Sequence, residues 1–342
     1  MKIRYWTVFL VIFMFFSCKK ENRWKIEKPK EEVHLNFENF SKDFFDLNQS
    51  LESLQKKYFF FFDYSVSDAT WEEQRKNKLE LDVYNSTKEV FKNEDYKEEI
   101  NTLFTYYKHY FPNVLMPTVY TYSSGLLNIH EPIVFGSKEG ILAIALDGFL
   151  GETNKWYVQE RVYPYLVKNM NPDNIAPKIV QAIGQEIIPF DPRNQSFIEL
   201  MVDEGKKLVL ADALLPNTSD ELKIGYTSDE LSWAKINEGQ IWNYFVEQNL
   251  IFNSERANKE RFLDSAPFSK FQNEVETESP GRIGAWIGWQ ICRKFMNENP
   301  KVSLEEFFMM SGQEIFKESK YKPKKEEGGY MRPVNTEQDD EE

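Results

Sequence analysis

Residues 278–295 read ESPGRIGAWIGWQICRKF, and their spacing sets the architecture of the chain. Ser279, Pro280 and Gly281 lead into a helix in which Gly284, Gly288 and Cys292 recur every four residues, a stripe of small side chains along one face. A glycine inside a helix costs about 1 kcal/mol relative to alanine. Close approach of a second helix is the compensation that the stripe implies. Ile283, Trp286, Ile287 and Ile291 flank it with apolar surface, so this is expected to be the central helix of the core. Cys292 then reads as a small buried residue, since no His lies near it in sequence to activate a thiolate.

Around this helix the pattern is mostly helical. Apolar residues recur at helical steps over roughly 156–170, 177–188, 195–212, 228–250, 281–297 and 303–317, with prolines such as Pro164, Pro177, Pro216 and Pro280 as punctuation. The region 37–111 is also helical. Phe40, Phe44, Leu47, Leu51 and Leu54 mark its first helix, and Leu103, Phe104, Tyr107 and Phe111 its last. Between them TWEEQRKNKLELDVYN (70–85) reads as one solvated helix, and the aromatic run 59–62 as core. Only LMPTVYTYSS (115–124), LLNIHEPIVFG (126–136) and GILAIALDGFLG (140–151) read as strands, separated by Gly, Asn and Ser turns. The expected fold class is therefore α+β and mostly helical, with helices around a small antiparallel sheet. With no internal repeat and no Ser/Gly-rich linker, a single domain over 37–323 is expected.

The two ends read differently. MKIRYWTVFLVIFMFFSC (1–18) has a basic start, an apolar stretch shorter than the roughly 20 residues of a membrane span, and a small residue before Cys18. This is a signal peptide over 1–17, with Cys18 as the candidate lipidation site. An uncleaved anchor, or ordinary secretion with a chance cysteine, is the alternative. Residues 18–36 are charged and aperiodic, and are expected to form a lipid-anchored flexible leash. Residues 324–342, ending in TEQDDEE, are expected to form a disordered acidic tail.

Composition excludes several functions. The net charge of −13 argues against nucleic acid as a partner, because sequence-independent binding needs a basic field. Two Cys and three scattered His (His34, His109, His130) exclude a disulfide framework and a dense Cys/His zinc site. No cofactor is expected, and no GxSxG, Walker or dinucleotide fingerprint occurs.

One segment invites comparison with metalloprotease chemistry. In APKIVQAIGQEIIPF (176–190), the five residues Gln185, Glu186, Ile187, Ile188 and Pro189 align with HExxH. That motif sets two His one helical turn apart with a Glu as general base. The Glu is kept, but Gln and Pro replace both imidazoles. Glu204 stands where a third ligand would lie, yet Glu186 and Glu204 alone cannot hold a catalytic zinc. Gln185, Glu186, Pro189 and Glu204 are thus candidates for a degenerate site, with no catalytic and no metal-binding residue assigned. An ordinary core helix with Ile179, Val180, Ile183 and Ile187 on one face is the competing reading. Asp147-Gly148 with Glu152 could set carboxylates at a cleft, although a plain strand-end turn accounts for the pair.

Several segments together resemble a known family. The leader, IALDGFLG, DEGKKLVLADALLP, IGYTSDELSWAKINEGQIWNYF, APFSKF, SPGRIGAWIGWQI and FKESKYKP keep order and spacing from the signal peptide to about Pro323. In this the chain is similar to the gliding motility lipoprotein GldB family of Bacteroidota. That resemblance implies a cell-envelope lipoprotein required for gliding motility, in organisms whose gliding machinery is coupled to type IX secretion. The C-terminal half more distantly resembles predicted HExxH zinc-dependent proteases, a likeness that carries over the scaffold without the histidines. The expectation is a non-enzymatic accessory tethered to a lipid bilayer through acylated Cys18 and contacting envelope proteins of the gliding and secretion machinery. Two alternatives stand beside it: a metal-dependent hydrolase or peptidase using His109 or His130 with Glu186 and Glu204, and a glycan-binding module using exposed Trp156, Tyr157 or Trp233.

Overall fold

The computed structural model describes residues 23–272 and 276–323. The signal peptide, Cys18 and the acidic tail lie outside the described residues. A short strand, β1 (Phe37–Asn39), opens into α1 (Phe40–Phe44), followed by α2 (Leu51–Lys57), α3 (Asp68–Gln74), α4 (Lys78–Val90) and α5 (Tyr96–Tyr110). The sheet follows as β2 (Thr118–Tyr122), β3 (Ile133–Gly136) and β4 (Ile141–Ala145). Next come α6 (Lys155–Gln159), α7 (Pro164–Val167), α8 (Ile175–Ile187) and α9 (Phe197–Leu214). The chain ends in α10 (Asp220–Ile224), α11 (Ser228–Glu247), α12 (Arg256–Phe262), α13 (Ile283–Glu298), α14 (Leu304–Met309) and α15 (Gly312–Ser319). The fold is α+β and mostly helical.

The small-residue stripe does what its spacing implies. Helix α13 is buried along most of its length and lies directly on α9, with Gly288 against the backbone of Met201 and Gly205 against the backbone of Gly288. Cys292 is fully buried, its Sγ 3.7 Å from the Val202 carbonyl oxygen, and burial pushes its thiol well above the ordinary range.

The sheet corrects the antiparallel expectation. Its order is β1-β2-β4-β3; β1 with β2 and β2 with β4 are parallel, and only the β3–β4 hairpin is antiparallel. Two features cause this. A three-residue strand ahead of α1 is too short to show a period in sequence, and the loop after β2 carries the chain past its neighbour position, so that β3 becomes an edge. Alternation along β2 then divides two cores. Val119 and Thr121 are buried on one side, with Val119 in the main core, whereas Tyr120 and Tyr122 pack on a second cluster of Phe40, Phe44, Leu51, Leu54, Tyr58 and Phe62. The aromatic run serves that second core through Phe61, stacked on Phe40 with ring centroids 4.3 Å apart, and buried Phe62; Phe59 stays exposed. Arg75, buried to 3% exposure, ties this unit together by donating to the carbonyls of Phe44, Asp46 and Gln49.

The leash is also corrected for its described part. Residues 23–36 are docked on the domain: Arg23 donates to the carbonyls of Met296 and Val302 at 2.9 and 3.0 Å, and Trp24 is buried edge-on to Tyr110. The Val33 and Leu35 amides donate to Thr105 and Asn101 on α5. Isolated apolar residues in a charged stretch carry no period, and their partners lie far away in sequence. Elsewhere single helices prove to be pairs. Residues 70–85 break where Asn77 caps α4, and 156–170 break before Pro164, which starts α7. The segment 303–317 divides because Ser303 with Glu306 and Ser311 with Glu314 each form a capping box. Both S-x-x-E patterns stand in the sequence and mark the two starts.

One titration follows from the fold. Glu99 on α5 is half-buried, and that burial, together with the nearby charge of Asp173, raises its carboxyl to about 7. A raised folded value means that stability is fully present below the ordinary carboxylate range and is lost as the pH rises toward 7. Glu99→Gln is therefore expected to gain about 1 kcal/mol on the natural protein between pH 5 and pH 8, after allowance for solvent screening. Urea unfolding at the two pH values measures this, and an unchanged difference refutes it.

Candidate functional site

Helix α8 presents Ile179, Val180 and Ile183 to the core, each fully buried, as an amphipathic helix requires. It ends at Ile187 because Pro189 disfavours helical backbone at the residue before it, and Ile188 is extended (ψ 115°). Pro189 thus lies off the helix, where a second imidazole would need to be one turn along it. The candidates go to different neighbours. The exposed Glu186 accepts a hydrogen bond from Ser137 Oγ at 2.8 Å, beside the β3–β4 turn. Gln185 lines a cleft with Asp203, Glu204 and Lys207. Pro189 lines an adjoining cleft with Lys206 and Phe308.

Glu204 is held by protein cations. Lys207 Nζ pairs with its Oε1 at 2.8 Å and Arg282 Nη2 with its Oε2 at 2.7 Å, while Lys207 also bridges to Asp203 at 2.7 Å. Burial alone would raise the Glu204 carboxyl, but Arg282 and Lys207 outweigh it and keep the group below the usual carboxylate range. A metal would have to displace both cations to gain one carboxylate. These residues do not fit a zinc site. The substitute ligand set is not assembled either: among the described residues no three of His, Cys, Asp and Glu come together to hold a metal ion. His109 sits exposed at the end of α5 against Tyr110, and His130 lies on the loop before β3.

Other readings are resolved by burial. Trp156 and Tyr157 are buried and Trp233 is half-buried near Phe271, so they offer no exposed aromatic face. Asp147 is fully buried at the end of β4, accepting from the amides of Ser124 and Leu126 and from Ser124 Oγ at 2.8–2.9 Å. Tyr157 donates to its carbonyl. It is a fastener for the loop after β2, and Glu152 is exposed apart from it. Sequence reasoning missed a larger polar centre: Asp212 on α9 accepts from Lys223, Trp289 and Arg293, and Arg293 also pairs with Asp220. The signal was an Asp within the apolar run LVLADALL, where an unpartnered charge is untenable.

Residues 21–323 match the sequence model of the family described as gliding motility protein GldB. The chain belongs to the GldB family. The match begins two residues before the first described residue and ends at the last, so the docked segment 23–36 is part of the GldB domain. A role in gliding motility comes with that membership. No curated protein and no solved structure matches the chain. Among the described residues of this GldB chain, no helix is long and apolar enough to cross a membrane.

Proposed function

We propose that this GldB-family chain is a cell-envelope lipoprotein, anchored through acylated Cys18, that serves gliding motility as a non-catalytic accessory of the gliding and type IX secretion machinery. The observation that carries the non-catalytic reading is the Lys207–Glu204–Arg282 arrangement. Where a protease of the HExxH type needs a free carboxylate ligand, this chain pairs it with two of its own cations. Without the two imidazoles, Glu186 has no metal-bound water to activate. The acidic surface favours basic patches on partner proteins of the envelope. Multiple acyl chains on Cys18 would hold the domain at the bilayer, where one chain would not.

Two measurements test this reading. A Cys18→Ala strain is expected to lose palmitate labelling of the protein and colony spreading together; full spreading without the label sinks the anchor. Elemental analysis of the purified, dialysed protein is expected to find substoichiometric zinc. About one zinc per chain, lost in the Glu186→Ala, Glu204→Ala double variant, would overturn the non-catalytic reading.

A further inference from the structure

A cleft of about 100 Å3 lies between the start of α8, the start of α13 and the loops after β2 and α10. Lys178, Arg282, Lys168 and His130 line it, and among the described residues no Asp or Glu does. In a chain of net charge −13 this is the opposite of the prevailing surface. Lys168 is neutralised by Glu230 at 2.6 Å. Lys178 has no ion pair and no hydrogen bond among the described residues; its burial, and then the like charge of Arg282, push its ammonium below the ordinary lysine range. Arg282 spends one nitrogen on Glu204 and, among the described residues, makes no other side-chain hydrogen bond.

Arg282 precedes the 16-residue helix α13 with a φ of 58°, and the Ile283 amide that opens the helix donates to Ser269 Oγ at 3.1 Å. Tyr226 donates to the Gly281 carbonyl at 2.8 Å and fixes the approach. With Arg282 paired to Glu204, Lys178 is the cation of this cleft without a counter-charge among the described residues, and an anion would supply it. A planar guanidinium fork beside a point-charge ammonium suits a carboxylate or a phosphate. Asn169, Asn174, Gln181 and Ser265 share the remaining wall with the half-buried apolar side chains of Tyr165, Leu166 and Leu222.

We propose that this cleft binds a small amphiphilic anion, its carboxylate or phosphate head held between Lys178 and Arg282 and its apolar body lying against Tyr165, Leu166 and Leu222. Calorimetric titration of the full chain in a non-ionic maltoside detergent, with hexanoate, hexyl phosphate, inorganic phosphate and hexanol as probes, tests it. Saturable binding of hexanoate or hexyl phosphate is expected, weakened about tenfold or more by Lys178→Met, with hexanol silent. Inorganic phosphate binding as tightly as hexyl phosphate overturns the amphiphile, and hexanol binding as tightly as hexanoate overturns the anion. Absence of saturation by either amphiphile, or equal affinity in Lys178→Met, overturns the site. A second measurement needs no variant. In the natural protein, hexyl phosphate should slow acetylation of Lys178, read by peptide mass spectrometry, and leave the exposed Lys78 unchanged; equal rates at Lys178 with and without it refute the proposal.

Discussion

Gly288→Ala is expected to destabilise the protein by about 3–5 kcal/mol or to prevent folding. A Cβ at this position would stand 1.7 Å from the Met201 carbonyl oxygen, a backbone atom that can yield only if α9 and α13 separate. Separation would also undo the contact at Gly205, whose own Cβ would meet the Gly288 backbone at 2.4 Å and the Cys292 sulfur at 2.8 Å. The two glycines therefore form one crossing, and Gly205→Ala should behave similarly. Gly184 on α8 supplies the contrast. Its Cβ would meet the Lys207 side chain at 3.0 Å and, in ordinary contact, Ile188 Cδ1 at 3.5 Å, and the roughly 1 kcal/mol gained in helix propensity offsets the displacement of a flexible stem. Urea midpoints of Gly288→Ala and Gly184→Ala, with circular dichroism to confirm folding, check this. Similar losses in both would show that the α9–α13 crossing does not carry the core.

Asp212→Ala is expected to cost about 3–5 kcal/mol, because it leaves buried charge without its counter-charge. Asp212 is 2% exposed and Lys223 4%, and the carboxylate receives Lys223 at 3.1 Å, Trp289 Nε1 at 2.9 Å and Arg293 at 2.7 and 2.8 Å. Arg293 keeps Asp220 after the substitution, and its guanidinium remains 3.6 Å over the Trp289 ring, so the larger penalty falls on Lys223. The double variant Asp212→Leu, Lys223→Met removes both buried charges and is expected to recover a large part of the loss. Thermal and urea unfolding of the single and double variants measure the coupling. A single-variant loss below about 1 kcal/mol, the scale of an exposed pair, would show that water already screens this centre.

The candidate site was legible in part. Gln185 and Pro189 in the places of two imidazoles could be read directly, because ligand chemistry depends on residue type and local spacing. The destination of Glu204 could not. Its partner Arg282 lies 78 residues away, and only the packing of α13 on α9 brings it within 2.7 Å. Lys178 likewise reads as one more lysine on an amphipathic helix until the cleft shows that no described carboxylate reaches it.

The helical class, the central helix with its small stripe and the family were all legible before any packing was known, since each is written in residue type and short-range period. The mixed sheet, the docking of residues 23–36, the charge centre at Asp212 and the cationic cleft emerge from packing alone. The physical reason is common to all four. Strand direction, the burial of a lone tryptophan and the pairing of a charge depend on neighbours many residues away, and a local period cannot encode which distant surface will arrive to meet them.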